Sequence, residues 1–398
     1  MKKVLFICSV YKPNLGGVET TIEQLSKHYA DKGVDSLVLT KRYPYQLSET
    51  EEIGKTQIYR MFRPKTDQDY LHSINFLKKH LINIKPDIVH IIGIRRPMPL
   101  YGLLLARYFQ VPFLVTFAGG DLPRPKEPDF LRIWQEDKDK VINPILQADY
   151  LTTFSEFTKK QAFKSIPDIK NPIQVIYAGI DLLKIKQIPG LDSEQAYFFT
   201  ARRLEKVKGI DILIKAFDQV NKKNNNLKLI IAGDGPERES LKKLTFRLNL
   251  ANNVVFLGKI KHEQVIAFMK GALAHICPSR AEGGGIVNFE AQAAGCLTIG
   301  SNAGGIPEYI KHNKTGIIFQ SENINQLAKY LNWAAINNQK KKEIINTAAQ
   351  EIRSFTWKTF SDKYFRLYHK LIKNIKANHE FRYWSKLTKS MNWELVKH

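Results

Sequence analysis

One sequence unit recurs along this chain. It consists of a short apolar segment, a glycine-containing loop and an amphipathic segment. The first copy comprises the apolar residues 4–10, the loop 13–17 and a segment in which Val18, Ile22 and Leu25 recur at helical spacing. A strand that leads through a helix to another strand forms a βαβ unit with parallel strands. The sequence therefore predicts an α/β fold.

The same pattern restarts after residues 188–193, where proline and glycine adjoin polar residues. A chain of 398 residues has room for two ordinary domains. We predict an N-terminal Rossmann-like domain at 1–188, a C-terminal one at 189–370 and a basic aromatic tail at 371–398. In doubly wound sheets ligands bind outside the carboxyl ends of the strands, so the cleft between the domains is the expected site.

The charge balance points to anionic partners. Lys and Arg number 61 against 38 Asp and Glu, which gives a net charge of +23. Outside the tail, aromatic residues do not alternate with basic ones and no nucleic-acid-binding module is recognisable, so we expect no nucleic acid partner. Arg95-Arg96, Lys78-Lys79 and the tail are candidates for docking on an anionic membrane surface. For the tail, packing against the body or disorder is the alternative to an interfacial helix.

The cysteines and the N-terminus predict the compartment. Cys8, Cys277 and Cys296 lie in separate apolar segments, which favours buried free thiols and a reducing cytoplasm. There is no run of about 18 apolar residues that would span a membrane. Residues 1–10 have no small-residue cleavage site after them, so we interpret them as a first buried strand. We expect a cytoplasmic protein, with peripheral attachment to the inner face of the cell membrane as a further possibility.

The segment 278–290 is the densest in candidate site residues. Three successive glycines precede a helix that is expected to begin near Ile286, so backbone N–H groups there are accessible to an anion or to sugar hydroxyls. Glu282 and Glu290 lie near the same helix end, and a carboxylate pair matches the donors of vicinal hydroxyls. A structural turn with two unrelated glutamates is the alternative. The three glycines are Gly283, Gly284 and Gly285.

Two other strand-to-helix loops are candidate phosphate sites. In the first loop, the planar guanidinium of Arg203 and the compact ammonium of Lys208 are suited to bind the two phosphates of a diphosphate. The alternative is that these basic residues form a solvated surface. In the second, Gly16 and Gly17 follow the first strand and open a helix, where a structural turn is equally compatible. The segment 233–237 resembles half of a dinucleotide fingerprint and favours a turn.

Metal and nucleotide-hydrolysis motifs are missing from the sequence. His262-Glu263 has no second histidine at the spacing that zinc sites use, and no Cys-x-x-Cys pair exists. No Gly-x-x-x-x-Gly-Lys-Ser/Thr loop is present. We therefore expect chemistry without a bound metal or cofactor.

Together these motifs resemble the family 4 retaining glycosyltransferases. The segments that carry the resemblance are Arg203-Leu204 with Lys208-Gly209, Gly233-Asp234-Gly235-Pro236-Glu237, Phe256-Leu257-Gly258, Pro278-Ser279 with Glu282 and Glu290, Gly304-Gly305-Ile306-Pro307-Glu308, and Gly16-Gly17-Val18-Glu19. The resemblance covers the chain to about residue 370. It implies the GT-B fold, which consists of two Rossmann-like domains facing across a cleft, with a C-terminal helix that crosses back to the first domain.

The resemblance also implies a hexosyltransferase-type activity and roles for the site residues. A nucleotide-sugar donor, UDP- or GDP-linked, would bind with its diphosphate on Arg203 and Lys208 and its ribose on Glu290. Glu282 and the amides of 283–286 would hold the transferred sugar. The acceptor would be a saccharide or a lipid-linked molecule in cell-surface polysaccharide or glycolipid synthesis. A nucleotide-sugar epimerase or a sugar phosphorylase on the same fold is the alternative.

Two segments depart from the family pattern. Ala118-Gly119-Gly120-Asp121 stands where many members have His-Gly-x-Asp, so Asp121 is predicted to orient the acceptor or the sugar without the usual histidine. Residues 282–285 read Glu-Gly-Gly-Gly where Glu-Gly-Phe-Gly is common, which predicts a wider sugar pocket.

Overall fold

A computed structural model describes most of the chain as two β-sheets flanked by helices, and nearly all of the strand pairs are parallel. The described residues are 1–14, 16–64, 66–120, 122 and 138–375. Asp121 and residues 376–398 lie outside them, so the role of Asp121 and the membrane role of the tail stay predictions.

The first sheet has the strand order β3-β4-β2-β1-β5-β6-β7-β8, and only the β3–β4 pair is antiparallel. Its strands are β1 (Lys3–Ile7), β2 (Asp35–Lys41), β3 (Thr50–Ile53), β4 (Thr56–Met61), β5 (Ile88–Ile92), β6 (Phe113–Phe117), β7 (Tyr150–Thr153) and β8 (Ile173–Val175). The described α-helices in this part are α1 (Gly17–Ala30), α2 (Asp67–Leu81), α3 (Met98–Phe109), α4 (Ile142–Leu146) and α5 (Glu156–Ser165).

The second sheet has the order β11-β10-β9-β12-β13-β14, and every pair is parallel. Its strands are β9 (Tyr197–Ala201), β10 (Lys228–Ala232), β11 (Val254–Gly258), β12 (Ala274–Cys277), β13 (Thr298–Ser301) and β14 (Ile317–Phe319). The described α-helices that follow β8 are α6 (Leu182–Gln187), α7 (Ile210–Asn221), α8 (Arg238–Arg247), α9 (His262–Gly271), α10 (Ile286–Ala293), α11 (Ile306–Tyr309), α12 (Ile324–Ile336), α13 (Asn338–Glu351) and α14 (Trp357–Ile375).

The central strands are buried and mostly apolar because helices cover both faces of each sheet. Every residue of β5, β6 and β12 is buried. Each such strand ends in a loop at the carboxyl edge of its sheet, where a doubly wound fold places its ligands.

Helix α14 returns to the first sheet although it follows the second one in sequence. Phe360, Tyr364 and Tyr368 on its apolar face are buried in one cluster with Phe6 and Tyr29. An isolated parallel bridge pairs Ile180, which follows the first sheet, with Thr356, which directly precedes α14. The predicted pair of Rossmann-like domains and the predicted return of the C-terminal helix are thereby confirmed; the domain limits at 188 and 370 stay predictions.

The prediction of buried free thiols is confirmed, since Cys8, Cys277 and Cys296 are all free and buried. Burial raises the pKa of the Cys296 thiol to about 12. In the part of the chain that the structure describes, no helix is long and apolar enough to cross a bilayer.

Candidate functional site

The candidate site lies at the carboxyl edge of the second sheet, where loops after β9, β12 and β13 meet backbone to backbone. Gly304 has φ +61°, and a side chain there would collide with the Glu282 carbonyl, which accepts a hydrogen bond from Gly305 N at 2.8 Å. Gly209 has φ +68°, and a side chain there would collide with the Pro278 carbonyl. Glycine at these positions lets the three loops pack together.

Glu282 is the centre of an ion cluster that is largely shielded from solvent. Its Oε2 is paired with the Arg202 guanidinium, lies 3.0 Å from Lys208 Nζ and accepts a hydrogen bond from Ser279 Oγ at 3.4 Å. The side chains of Arg202, Lys208 and Glu282 are only 5%, 14% and 15% exposed. Burial alone would raise the pKa of Glu282, but the charges of Arg202 and Lys208 outweigh it and hold this pKa below the usual value. Glu282 is therefore ionised at neutral pH.

Arg203, the arginine that the sequence singled out, is not part of this cluster. Its side chain is 74% exposed, and its Nη1 lies 2.8 Å from Glu205 Oε1. Arg202 contacts Glu282 instead. Residues 197–200 of β9 are all buried, so the burial pattern of the strand does not distinguish Arg202 from Arg203. The contact between Arg202 and Glu282 is a property of the folded loops and has no signal in the sequence.

Gly283, Gly284 and Gly285 lead directly into α10, which begins at Ile286 as predicted. The first N–H groups of a helix have no partner within the helix, so they are oriented toward the same loop edge as Glu282. A Cβ atom on Gly284 would lie 3.3 Å from the Tyr309 hydroxyl. The predicted widening of the sugar pocket at this position stays a prediction.

Glu290 lies on α10 and has a partner that the sequence did not predict. His262 Nε2, at the start of α9, is 2.8 Å from Glu290 Oε1, and the Glu290 side chain is 19% exposed. The hydrogen bond to Glu290 raises the pKa of His262. This imidazole, which the sequence showed only as part of an incomplete metal motif, is the described partner of the Glu290 carboxylate.

Gly16 and Gly17 belong to the first domain, at the point where β1 has ended and α1 begins. The Glu19 carboxylate folds over Gly16, and a side chain on Gly17 would meet open space. The two glycines thus sit at the carboxyl edge of the first sheet, as the sequence predicts, and no described contact joins them to Glu282.

Two family models match consecutive parts of the chain. The model described as Glycosyltransferase Family 4 covers residues 15–183, and the model described as Glycosyl transferases group 1 covers residues 183–351. The chain belongs to the family 4 glycosyltransferases. Its resemblance to this family is confirmed, as is the GT-B architecture.

Curated relatives of this glycosyltransferase carry related descriptions. An uncharacterized glycosyltransferase of Methanocaldococcus jannaschii is 24% identical over 393 residues, which is 92% of this chain and 97% of the relative. The GDP-mannose-dependent alpha-(1-6)-phosphatidylinositol monomannoside mannosyltransferase of Mycobacterium tuberculosis is 30% identical over 196 residues, which is 45% of this chain and 51% of the relative.

Solved structures share the fold of this glycosyltransferase. Sucrose-phosphate synthase from Thermosynechococcus elongatus superposes with a TM-score of 0.79 at 18% identity and covers 94% of this chain and 100% of that one. HepE from Anabaena, in complex with UDP-glucose, superposes with a TM-score of 0.73 at 19% identity and covers 93% of this chain and 100% of that one.

The ion cluster gives this glycosyltransferase a defined electrostatic capacity. Arg202 and Lys208 carry two positive charges against the single charge of Glu282, so the buried part of the site has one cation in excess. Fixed cations in a site of low dielectric stabilise negative charge that develops on a leaving group. The described side-chain contacts of Glu282 all use Oε2, so within the described part of the chain Oε1 can accept a hydrogen bond from a hydroxyl donor.

Proposed function

We propose that this enzyme moves a sugar, with retention of configuration, from a nucleoside-diphosphate donor to a saccharide or lipid-linked acceptor. The observation that carries the proposal is the Glu282 cluster, in which one buried carboxylate holds two cations next to the N-terminus of α10. At the carboxyl edge of the second sheet, such a site offers hydrogen-bond acceptors for sugar hydroxyls and positive charge for a diphosphate.

In the proposed reaction the bond between the anomeric carbon and the phosphate oxygen breaks, and its electron pair stays on the diphosphate. An acceptor hydroxyl oxygen forms the new bond to the anomeric carbon, and its proton passes to the departing phosphate on the same face of the sugar. Lys208 and the exposed Arg203 spread the charge of the leaving diphosphate, while Arg202 keeps Glu282 ionised and in place. Asp121, which lies outside the described residues, is proposed to orient the acceptor.

For donor binding, we propose that Glu290 accepts hydrogen bonds from the ribose and that Glu282 and the amides of 283–286 hold the transferred sugar. UDP and GDP donors are both supported by relatives, since the HepE structure holds UDP-glucose and the mycobacterial relative is described as GDP-mannose-dependent. The site in this proposal uses side-chain cations in place of a metal and requires no cofactor.

We further propose that the acceptor is presented at the cytoplasmic face of the cell membrane during cell-surface polysaccharide or glycolipid synthesis. The net charge of +23 supports attraction to anionic lipid, and a described relative acts on a phosphatidylinositol derivative. We expect the protein to sediment with vesicles that contain anionic lipid at low salt and to be released at high salt. Equal recovery with neutral and anionic vesicles would remove the membrane part of the proposal.

A ligand screen followed by a turnover assay tests the donor assignment. Thermal unfolding is measured with UDP, GDP, ADP and their sugars, and a ligand at about 100 times its Kd adds about 2.7 kcal/mol of stability by mass action. The stabilising donor is then incubated alone, with candidate acceptors, and with EDTA. With the donor alone we expect slow hydrolysis of the nucleotide sugar. With an acceptor we expect faster sugar transfer, which EDTA should not inhibit.

The same assay separates the alternative chemistries. Epimerised donor, or donor breakdown that requires phosphate, would replace the transferase proposal with an epimerase or a phosphorylase. The relatives described above are transferases and synthases, so they do not favour that alternative. If no nucleotide raises the unfolding temperature, the nucleotide-sugar proposal is wrong.

A further inference from the structure

The Glu308 carboxylate connects the two domains beside the candidate site. Its Oε1 accepts a hydrogen bond from Phe157 N at 2.7 Å, and its Oε2 accepts one from Glu156 N at 2.7 Å and one from the Tyr177 hydroxyl at 3.0 Å. Glu308 lies on α11 of the second domain, whereas residues 156–157 open α5 of the first. One side chain thus satisfies three donors from the opposite domain.

A second set of contacts connects the same helix to the glycine loop. The hydroxyls of Ser155 and Thr158 lie within hydrogen-bonding distance of the Gly283 carbonyl oxygen, Thr158 at 3.0 Å. Gly119, in the loop after β6, approaches Gly283 so closely that neither position has room for a Cβ. The start of α5 therefore touches both Glu308 and the loop that follows Glu282.

The charge of Glu308 suits this position for a general reason. The first N–H groups of a helix have no intrahelical partner and carry the positive end of the helix dipole, so an anion is the preferred partner there. Both carboxylate oxygens accept, whereas a glutamine would turn an NH2 group toward one of the two amides. A neutral side chain of the same size would therefore weaken the contact between the domains.

We propose that Glu308 is a positioning residue for transfer, one that clamps α5 of the acceptor domain to the donor loop 282–285. The clamp keeps the Gly283 carbonyl and the Glu282 carboxylate at a fixed distance from the first domain, so a bound donor meets an ordered acceptor surface and less water. This inference rests on the proposed function, because the loop is the one assigned to the donor sugar. Glu308 is part of the motif at 304–308, and the structure adds the contacts through which this side chain couples the domains.

Hydrogen–deuterium exchange measures the clamp without any assay of activity. In Glu308→Gln, the amides of Glu156 and Phe157 should exchange about tenfold faster, because a hydrogen bond to a charged group that protects them is lost. Glu343→Gln is the matched control, since Glu343 lies on α13 and pairs only with Lys340 among its described ion pairs. Equal exchange at residues 156–157 in both variants would overturn the clamp.

Steady-state kinetics then test the coupling to transfer. We expect Glu308→Gln to lower kcat for transfer about tenfold, with donor KM changed less than about twofold and with donor hydrolysis increased relative to transfer. Thr158→Val, which removes one hydroxyl from the Gly283 carbonyl and keeps the side-chain volume, should shift the same ratio in the same direction.

The failures of the two proposals are distinguishable. If exchange accelerates but the ratio of hydrolysis to transfer stays that of Glu343→Gln, Glu308 has a structural role only and the positioning proposal is wrong. If the wild-type enzyme turns over no nucleotide sugar, the proposed function fails and the positioning role with it, while the exchange measurement still decides whether the clamp exists.

Discussion

Replacing Lys208 with methionine should lower kcat/KM for sugar transfer about a hundredfold. Lys208 Nζ is 14% exposed and lies 3.0 Å from Glu282 Oε2, so it is a preorganised cation in a site with little water. Removing one such group that stabilises developing negative charge typically costs about 3 kcal/mol in the transition state. Most of the loss should fall on kcat, because the charge on the diphosphate increases as the sugar–phosphate bond breaks.

Lys206→Met is the matched control for this measurement. Lys206 lies in the same 3-10 turn, Lys206–Lys208, but its side chain is exposed. The same loss of charge two residues away should change kcat/KM less than about threefold, since exposed charges interact weakly through water. If Lys208→Met and Lys206→Met have equal activities and both proteins unfold at the wild-type temperature, the role assigned to Lys208 is wrong.

The fold was predictable because alternating apolar segments and glycine loops are local features. Residues 4–10 form a mostly apolar segment of strand length, and this segment holds the buried central strand β1. The helix that begins at Ile286 was predictable for the same reason, since the glycines before it break regular structure. The return of the C-terminal helix to the first domain was predicted only from the family resemblance. No local pattern in residues 357–375 specifies the domain against which this helix packs.

The candidate site was only partly predictable because its contacts join residues far apart in sequence. The spacing of Arg203 and Lys208 identified the correct loop, but only the folded structure shows that Arg202 contacts Glu282 whereas Arg203 is exposed and lies beside Glu205. The pairing of His262 with Glu290 spans two helices, so no spacing rule reveals it. The clamp formed by Glu308 depends on how two domains meet, which is a property of the whole fold.

Replacing Glu282 with leucine should abolish transfer and also destabilise the protein by about 3 kcal/mol. The Arg202 side chain is 5% exposed, so loss of the carboxylate leaves a buried guanidinium without a counter-charge. Removing one partner of a buried ion pair typically costs about 3 to 5 kcal/mol, whereas replacing both partners by apolar residues is often nearly neutral. The double variant Arg202→Met/Glu282→Leu should therefore regain most of the stability, measured by urea unfolding, and none of the activity.

The pH dependence of unfolding provides an independent check on the same cluster. Because the folded-state pKa of Glu282 is lowered from its usual value of 4.5, its contribution to stability is present above that value and is lost as the pH falls through the lowered pKa. The difference in unfolding free energy between the wild type and Glu282→Leu should be constant from about pH 6 to 8 and should shrink below about pH 4. A difference that stays constant down to pH 3, or a double variant that remains as unstable as the single one, would mean that Arg202 does not depend on Glu282 for its counter-charge. In that case the positive charge proposed for the donor site does not arise from the arrangement of Arg202, Lys208 and Glu282 described above.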